Sequence, residues 1–262
     1  MASALPRLVI FDVNETLSDM GPMADRFAAV GAPPGLAATW FASVLRDGFA
    51  LTATGQNPSF AEIAAQSLAW HLPAAADDRE AAGHGRKAAQ DDREAAADDR
   101  EAAGDSRQTA GDSLEAATRH VMEGFTTLPV HPDVVPGVRS LRDLGLRLVT
   151  LTNGATSVAQ GLFDRNGISD AFDRLLSVED AGAWKPAGAA YQYALDVCGV
   201  DSGDALLVAV HPWDIHGARR AGLRTCWINR TARRYPGYFD APEIEATSIV
   251  DLADRLRRAG AA

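Results

Sequence analysis

Four short stretches carry side chains of the types that covalent chemistry needs. FDVNETL ends an apolar run with Asp12, LTNGA ends another with Thr152 and Asn153, WKP holds Lys185, and HPWD holds His211 and Asp214. A carboxylate such as Asp12 is a competent nucleophile when donors hold it and water is kept away. Lys185 could hold it as an ion pair, Thr152 and backbone N–H groups could orient a substrate, and Asp214 with His211 could steer a water. Each residue also has a plain structural reading. A strand-end Asp turns the chain or caps a helix, Thr152-Asn153-Gly154 makes a capping turn, a Lys before Pro186 sits on the surface, and Asp214 is a helix N-cap. His211 reads equally as a donor to a nearby carbonyl or as an aid to hydrolysis near neutral pH. Trp40, Phe41 and Trp213 line an apolar pocket or pack the core.

The elements that must position these residues alternate along the chain. Leu8 to Phe11 is a short buried strand, and residues 24–72 read as helices broken at Pro33-Pro34-Gly35 and from Gly55 to Pro58. Beyond residue 132 come a helix to Leu144, a strand at 146–152, a helix at 158–166, a strand at 174–177 and a helix at 188–198. A strand at 205–210, a helix at 214–221, a strand at 225–228 and a helix at 249–259 complete the pattern. Such alternation predicts an α/β fold, a Rossmann-like doubly wound parallel sheet with helices on both faces. The helical block between the first two strands is an inserted cap, which gives core segments 1–17 and 132–262 and a cap at 18–131. Ligands of such sheets sit at the carboxyl ends of the strands, where Asp12, Thr152, Lys185 and Asp214 fall.

Six consecutive sevens, from DDREAAG to DSLEAAT, occupy residues 77–118. They hold 8 Asp and 4 Glu against 6 Lys and Arg, and so carry −6 of the chain's net charge of −10. Their paired alanines offer little area to bury and Leu is absent before Leu114, so a strong coiled-coil seam is missing. Gly83, Gly85, Gly104 and Gly111 interrupt the helix that Ala, Glu and Arg favour. The stretch reads as a low-complexity, partly helical or mobile insertion in the cap, with no chemistry of its own. The acidic balance argues against nucleic acid as a partner, and no apolar run reaches the ~20 residues of a membrane-spanning helix. Met1 to Phe11 reads as a first strand rather than a signal peptide, and Cys198 and Cys226 are too few and too far apart for a disulfide framework. A reduced, cytoplasmic enzyme is the expectation.

Taken in order, FDVNETL, LTNGA, WKP and VHPWD resemble the four motifs of the haloacid dehalogenase superfamily: Asp-x-x-x-Thr, a Ser or Thr, a Lys, and a strand followed by acid. SVEDAGAWKPAGAAY and WDIHGARRAGLRTCWINR resemble more narrowly its (S)-2-haloacid dehalogenase subgroup. The resemblance implies Asp12, Lys185, Asp214 and Thr152 as the catalytic set, to which residue type adds His211. It implies Thr16, Asn153, Tyr191 and Trp213 at the substrate, beside Asn14, Phe41 and Arg46. Attack of Asp12 at C2 of a short 2-haloalkanoic acid would expel halide and leave an ester, which water would then hydrolyse to the 2-hydroxy acid. Many members of the subgroup are dimers, which leaves a homodimer open.

Asn14 bears on the choice of reaction. Phosphatases of the superfamily carry a second Asp there to protonate a departing alkoxide, whereas halide needs no proton and an amide does not titrate usefully. Val210 stands where a metal-holding carboxylate often precedes the motif-four acid by four residues. Both departures favour displacement without a metal or other cofactor. Against the subgroup pattern, Asn14 replaces a usual Tyr, Phe41 takes the place of a carboxylate-gripping Arg, and Ala209 and His211 replace a Ser and an Asn. Arg46, five residues beyond Phe41, is the candidate to replace that arginine, against its reading as an exposed helix residue. The alternatives are a Mg-dependent small-molecule phosphatase and an inactive interaction protein.

Overall fold

The computed structural model describes residues 5–72 and 95–261. Its centre is a six-stranded parallel sheet of β1 (Leu8–Phe11), β2 (Arg147–Thr152), β3 (Arg174–Ser177), β4 (Ala205–Ala209), β5 (Arg224–Ile228) and β6 (Ile244–Ala246). The order is β3-β2-β1-β4-β5-β6, so the first strand made is a central one. Phe11 pairs in register with Thr150 on one side and Val208 on the other, which brings the ends of three strands level.

The strands are continuous apolar runs because both sheet faces are covered. Side chains alternate between the faces: Leu8, Ile10, Leu207 and Ala209 go to one buried cluster, Val9, Phe11, Leu206 and Val208 to the other. The second cluster is closed by α5 (Val134–Asp143), α6 (Thr156–Asn166) and α10 (Ile249–Gly260). The first is closed by α8 (Gly188–Cys198) and α9 (Pro212–Arg220), and it continues without a break into the helices between β1 and β2.

Those helices are α1 (Met23–Ala29), α2 (Leu36–Ala53), α3 (Phe60–His71) and α4 (Ala95–Thr126). Ser59 starts α3 by accepting from the Glu62 N–H at 3.2 Å, the side-chain cap that a Ser-x-x-Glu sequence supplies. Trp40 of α2 is fully buried between Phe27 and Phe125, and its indole N–H donates to Ala64 O at 3.0 Å. One such ring contributes roughly 1.5–3 kcal/mol by leaving water. The chain leaves and rejoins the sheet layer side by side: Ser18 and Val130 form an antiparallel bridge, and Asp19 N–H donates to Pro129 O.

Several expectations are corrected in detail. A sixth strand, β6, and a one-turn helix, α7 (Val178–Ala181), had no periodicity long enough to announce them. Helix α9 begins at Pro212, two residues earlier than expected, because proline suits the first helical position. Gly104 and Gly111 do not interrupt α4, whose far end is anchored by buried Val121 and Phe125. Of the heptad stretch, residues 77–94 lie outside the described residues and residues 95–118 belong to α4. Among the described residues no helix is long and apolar enough to cross a membrane.

Candidate active site

Three charged groups from three separate elements meet under the sheet's carboxyl edge. Asp12 follows β1 directly, Lys185 follows α7, and Asp214 lies in the first turn of α9. Lys185 Nζ donates to Asp12 Oδ1 at 2.9 Å and to Asp214 Oδ2 at 2.5 Å. Lys185 and Asp214 are fully buried and Asp12 is 4% exposed. Water screens none of these charges, so the geometry of the ammonium between two carboxylates is what makes the cluster tolerable.

Each remaining oxygen has a donor. Thr16 Oγ1 donates to Asp12 Oδ2 at 2.6 Å and accepts from Val210 N–H, which ties motif one to the end of β4. Tyr191, on α8, donates to Asp214 Oδ1 at 2.7 Å. Asn153 pairs with the Lys185 backbone in both directions, at 3.0 and 3.2 Å, and so sets where that side chain begins. Thr152 Oγ1 accepts from Gly154 N–H, and a β-carbon on Gly154 would lie 3.6 Å from Asn14 Nδ2, which places the Asn14 amide beside this loop.

The electrostatics separate the two carboxylates. Burial pushes Asp12 up, but the Lys185 ammonium, His211 and the Thr16 hydroxyl outweigh it and hold Asp12 below the usual carboxylate value. At Asp214 burial wins over Lys185 and Tyr191, so that group lies above the usual value. Burial would lower Lys185, yet the two carboxylates more than offset it and its pKa is raised. Tyr191 is pushed well up, first by burial and then by Asp214, and remains a phenol that donates. Two acids with opposite shifts on one ammonium suit opposite roles, one permanently ionised and one more basic.

An aromatic wall stands beside the cluster. The His211 ring lies between Trp213 at 5.0 Å and Phe41 at 6.5 Å, both stacked, and Phe49 meets Trp213 edge-on. His211 Nε2 is 3.2 Å from Asn14 O and 3.5 Å from Asp12 Oδ2. Lys185 Nζ lies 5.9 Å from the Trp213 ring centre. On the outer side of His211 a cleft of about 530 Å³ is lined by Glu15, His131, Arg230 and Arg233 among others.

The structure therefore brings together Asp12, Asn14, Thr16, Phe41, Thr152, Asn153, Lys185, Tyr191, His211, Trp213 and Asp214. It does not bring in Arg46. That guanidinium is 70% exposed and paired with its neighbour Asp47 at 2.8 Å, because position 46 falls on the solvent side of α2. Three residues had escaped the reading of the sequence. Trp184 wedges between the two layers, donating from its ring to Pro58 O and from its backbone to Thr52 Oγ1; its place beside Lys185 was the available signal. Arg230 donates to Thr16 O and pairs with Asp133, bracing the turn that carries Asp12. Glu15 has a left-handed backbone, φ 61°, in that same turn, where a non-glycine residue is uncommon.

A divalent ion of the kind used in phosphoryl transfer does not fit this donor set. Position 210 is a valine, and the Lys185 ammonium sits on both Asp12 and Asp214, the carboxylates that a hard cation would need for itself.

Comparison with known proteins agrees with the geometry. A family profile described as haloacid dehalogenase-like hydrolase matches residues 6–222. The chain is 34% identical over 137 residues to an (S)-2-haloacid dehalogenase of Pseudomonas sp. (strain YL), covering 52% of this chain and 59% of that one. It is 34% identical over 116 residues to haloacetate dehalogenase H-2 of Moraxella sp. (strain B), covering 44% and 52%. The matches thus span 59% and 52% of these curated relatives, under two thirds of each. The fold is that of the L-2-haloacid dehalogenase of Xanthobacter autotrophicus with chloropropionic acid covalently bound, at a TM-score of 0.73 and 20% identity over 97% of this chain and 99% of that one.

Proposed function

Because the chain belongs to the haloacid dehalogenase-like hydrolases, we propose that it hydrolyses the carbon–halogen bond of short 2-haloalkanoic acids through an ester on Asp12. A carboxylate oxygen of Asp12 attacks C2, the C–halogen bond breaks, and its electron pair leaves with the halide. Water then adds to the Asp12 carboxyl carbon as Asp214 takes one of its protons. The adduct collapses, the 2-hydroxy acid departs with the proton returned by Asp214, and Asp12 ionises again. Lys185 holds Asp12 as an anion before attack and offers an N–H to the oxyanion of the adduct. Phe41 and Trp213 exclude water, and Thr152, Asn153 and Asn14 supply polar contacts to the substrate.

The observation that carries this reading is the buried Asp12–Lys185–Asp214 cluster with an amide, Asn14, beside it. The cluster supplies a nucleophile and a base, whereas Asn14 supplies no acid for an alkoxide leaving group, and a halide leaves without one. Residues 18–131 act as the cap that closes over this site. Buried free thiols at Cys198 and Cys226 suit a reducing, cytoplasmic setting.

The test pairs two assays. Halide release from (S)-2-chloropropionate, in the presence of EDTA, is expected from the wild type and absent from Asp12→Asn. Release of phosphate from an aryl phosphate only when Mg²⁺ is added, with no halide from the haloacid, overturns the proposal.

A further inference from the structure

Glu15 stands three residues after Asp12, in a turn that bends the chain back to Thr16 and Ser18. Its φ of 61° is a conformation that glycine reaches freely and that a side chain makes unfavourable. The backbone is held there from both sides, with Glu15 N–H donating to Ser18 Oγ and His131 Nε2–H donating to Glu15 O at 3.0 Å. Strain of this kind clusters at functional sites and persists only where the surrounding structure holds it.

The Glu15 side chain reaches toward His211. Glu15 Oε2 is 3.6 Å from His211 Nε2, and among the described residues no other basic side chain pairs with this carboxylate. The imidazole has Trp213 stacked at 5.0 Å and Phe41 farther off at 6.5 Å, which leaves open which nitrogen bears hydrogen. Three oxygens converge on Nε2: Asn14 O at 3.2 Å, Asp12 Oδ2 at 3.5 Å and Glu15 Oε2 at 3.6 Å. A bare lone pair would be repelled by all three, so Nε2 carries a hydrogen.

We propose that Glu15 is a positioning residue that acts through His211. Its carboxylate, together with Asn14 O, keeps a hydrogen on His211 Nε2, the imidazole edge that lies 3.5 Å from Asp12 Oδ2. A polarised N–H at that edge favours negative charge on Asp12, both in the carboxylate and during ester hydrolysis. The left-handed backbone is held by the closure of the turn, and it carries the carboxylate to His211. The functional part of this inference rests on the aspartyl-ester reading above; the placement of the hydrogen does not.

Glu15→Gln, Glu15→Gly, His211→Asn and the double variant Glu15→Gln/His211→Asn separate the outcomes. Glu15→Gln and Glu15→Gly are expected to lower kcat for halide release roughly tenfold, as misplacing a catalytic contact does, with KM little changed. Glu15→Gly is expected to keep or raise Tm while losing kcat, because glycine relieves the turn. In the His211→Asn background the Glu15→Gln change is expected to cost nothing further. Full kcat in Glu15→Gly, or independent losses that multiply in the double variant, overturns the proposal. Nitrogen NMR of ¹⁵N-histidine protein, with His211 assigned from its absence in His211→Asn, gives a readout that needs no turnover. A hydrogen on Nε2 in the wild type that shifts toward Nδ1 in Glu15→Gln supports the placement, and an unchanged tautomer in that variant refutes it. Intact NMR behaviour without halide release from the wild type would retire the ester reading and leave the placement standing.

Discussion

Tyr191→Phe removes one oxygen atom from the interior and nothing else. The ring is fully buried in α8 and phenylalanine fills the same space, so no cavity is added. What is lost is the 2.7 Å hydrogen bond to Asp214 Oδ1 with the 3.1 Å contact to Asp214 O, and among the described residues no second donor reaches that Oδ1, since Lys185 binds Oδ2. A hydrogen bond to an ionised group is worth about 1.5–3 kcal/mol, and a buried acceptor left alone carries the full cost of having lost water. At about 2–4 °C per kcal/mol for a chain of this size, Tm should fall by roughly 3–12 °C at neutral pH. The sign of the pH dependence follows from Asp214, already raised by burial, with the Tyr191 hydroxyl among the influences that lower it. Removing the hydroxyl raises Asp214 further, so the folded variant binds a proton more tightly than the folded wild type. Its stability deficit is therefore smallest in acid and grows as pH rises through the interval between the two folded-state values. Thermal unfolding of both proteins at several pH values reads this directly, and the acid limb of the ester-hydrolysis step should move to higher pH in parallel. A Tm gap that is the same at every pH, or no gap at all, would show that Tyr191 does not hold an ionised Asp214.

Two other perturbations are as specific. In Gly48→Ala the new methyl would lie 2.4 Å from two atoms of the Trp184 ring, which is pinned by its bond to Pro58 O. The helix-propensity gain of ~1 kcal/mol is outweighed by overpacking of roughly 1–3 kcal/mol, so both Tm and kcat should fall as Trp184 drags on Lys185. Arg46→Ala should leave Tm and the KM for 2-chloropropionate unchanged, because the side chain faces solvent on Asp47; a raised KM would show that it reaches the substrate when one is bound.

Much of the chemistry was legible because it lies at the ends of strands, and buried parallel strands announce themselves as apolar runs. LVIF ends at Asp12 and ALLVA leads to His211, so the strand signal and the site signal were the same residues. Tyr191 came from the resemblance, and Lys185 from its residue type and its place near a strand end. Arg46 kept two readings in the sequence because counting five residues along a helix fixes a direction around its axis only when the buried face is known. Glu15 was invisible for a different reason: the left-handed turn is set by the closure of residues 13–18 onto Val130 and onto Val210, just past β4, contacts that are distant in sequence. β6 escaped because three residues, one of them Glu245, make no pattern, and its pairing with β5 supplies what its sequence lacks.

The strand order has a consequence for biogenesis. β1 emerges first, yet its neighbours β2 and β4 begin only at Arg147 and Ala205. At ribosomal speeds of about 5–20 residues per second, this apolar strand waits roughly 7–27 s with both edges bare before its first partner exists. Helices α1 to α4 also precede Arg147 and pack on one another, so they can assemble during that wait and shelter it. Translation stalled before Arg147 should accordingly yield aggregates or chaperone-bound chains, and the nucleophile, base and ammonium can meet only after Asp214 has left the exit tunnel.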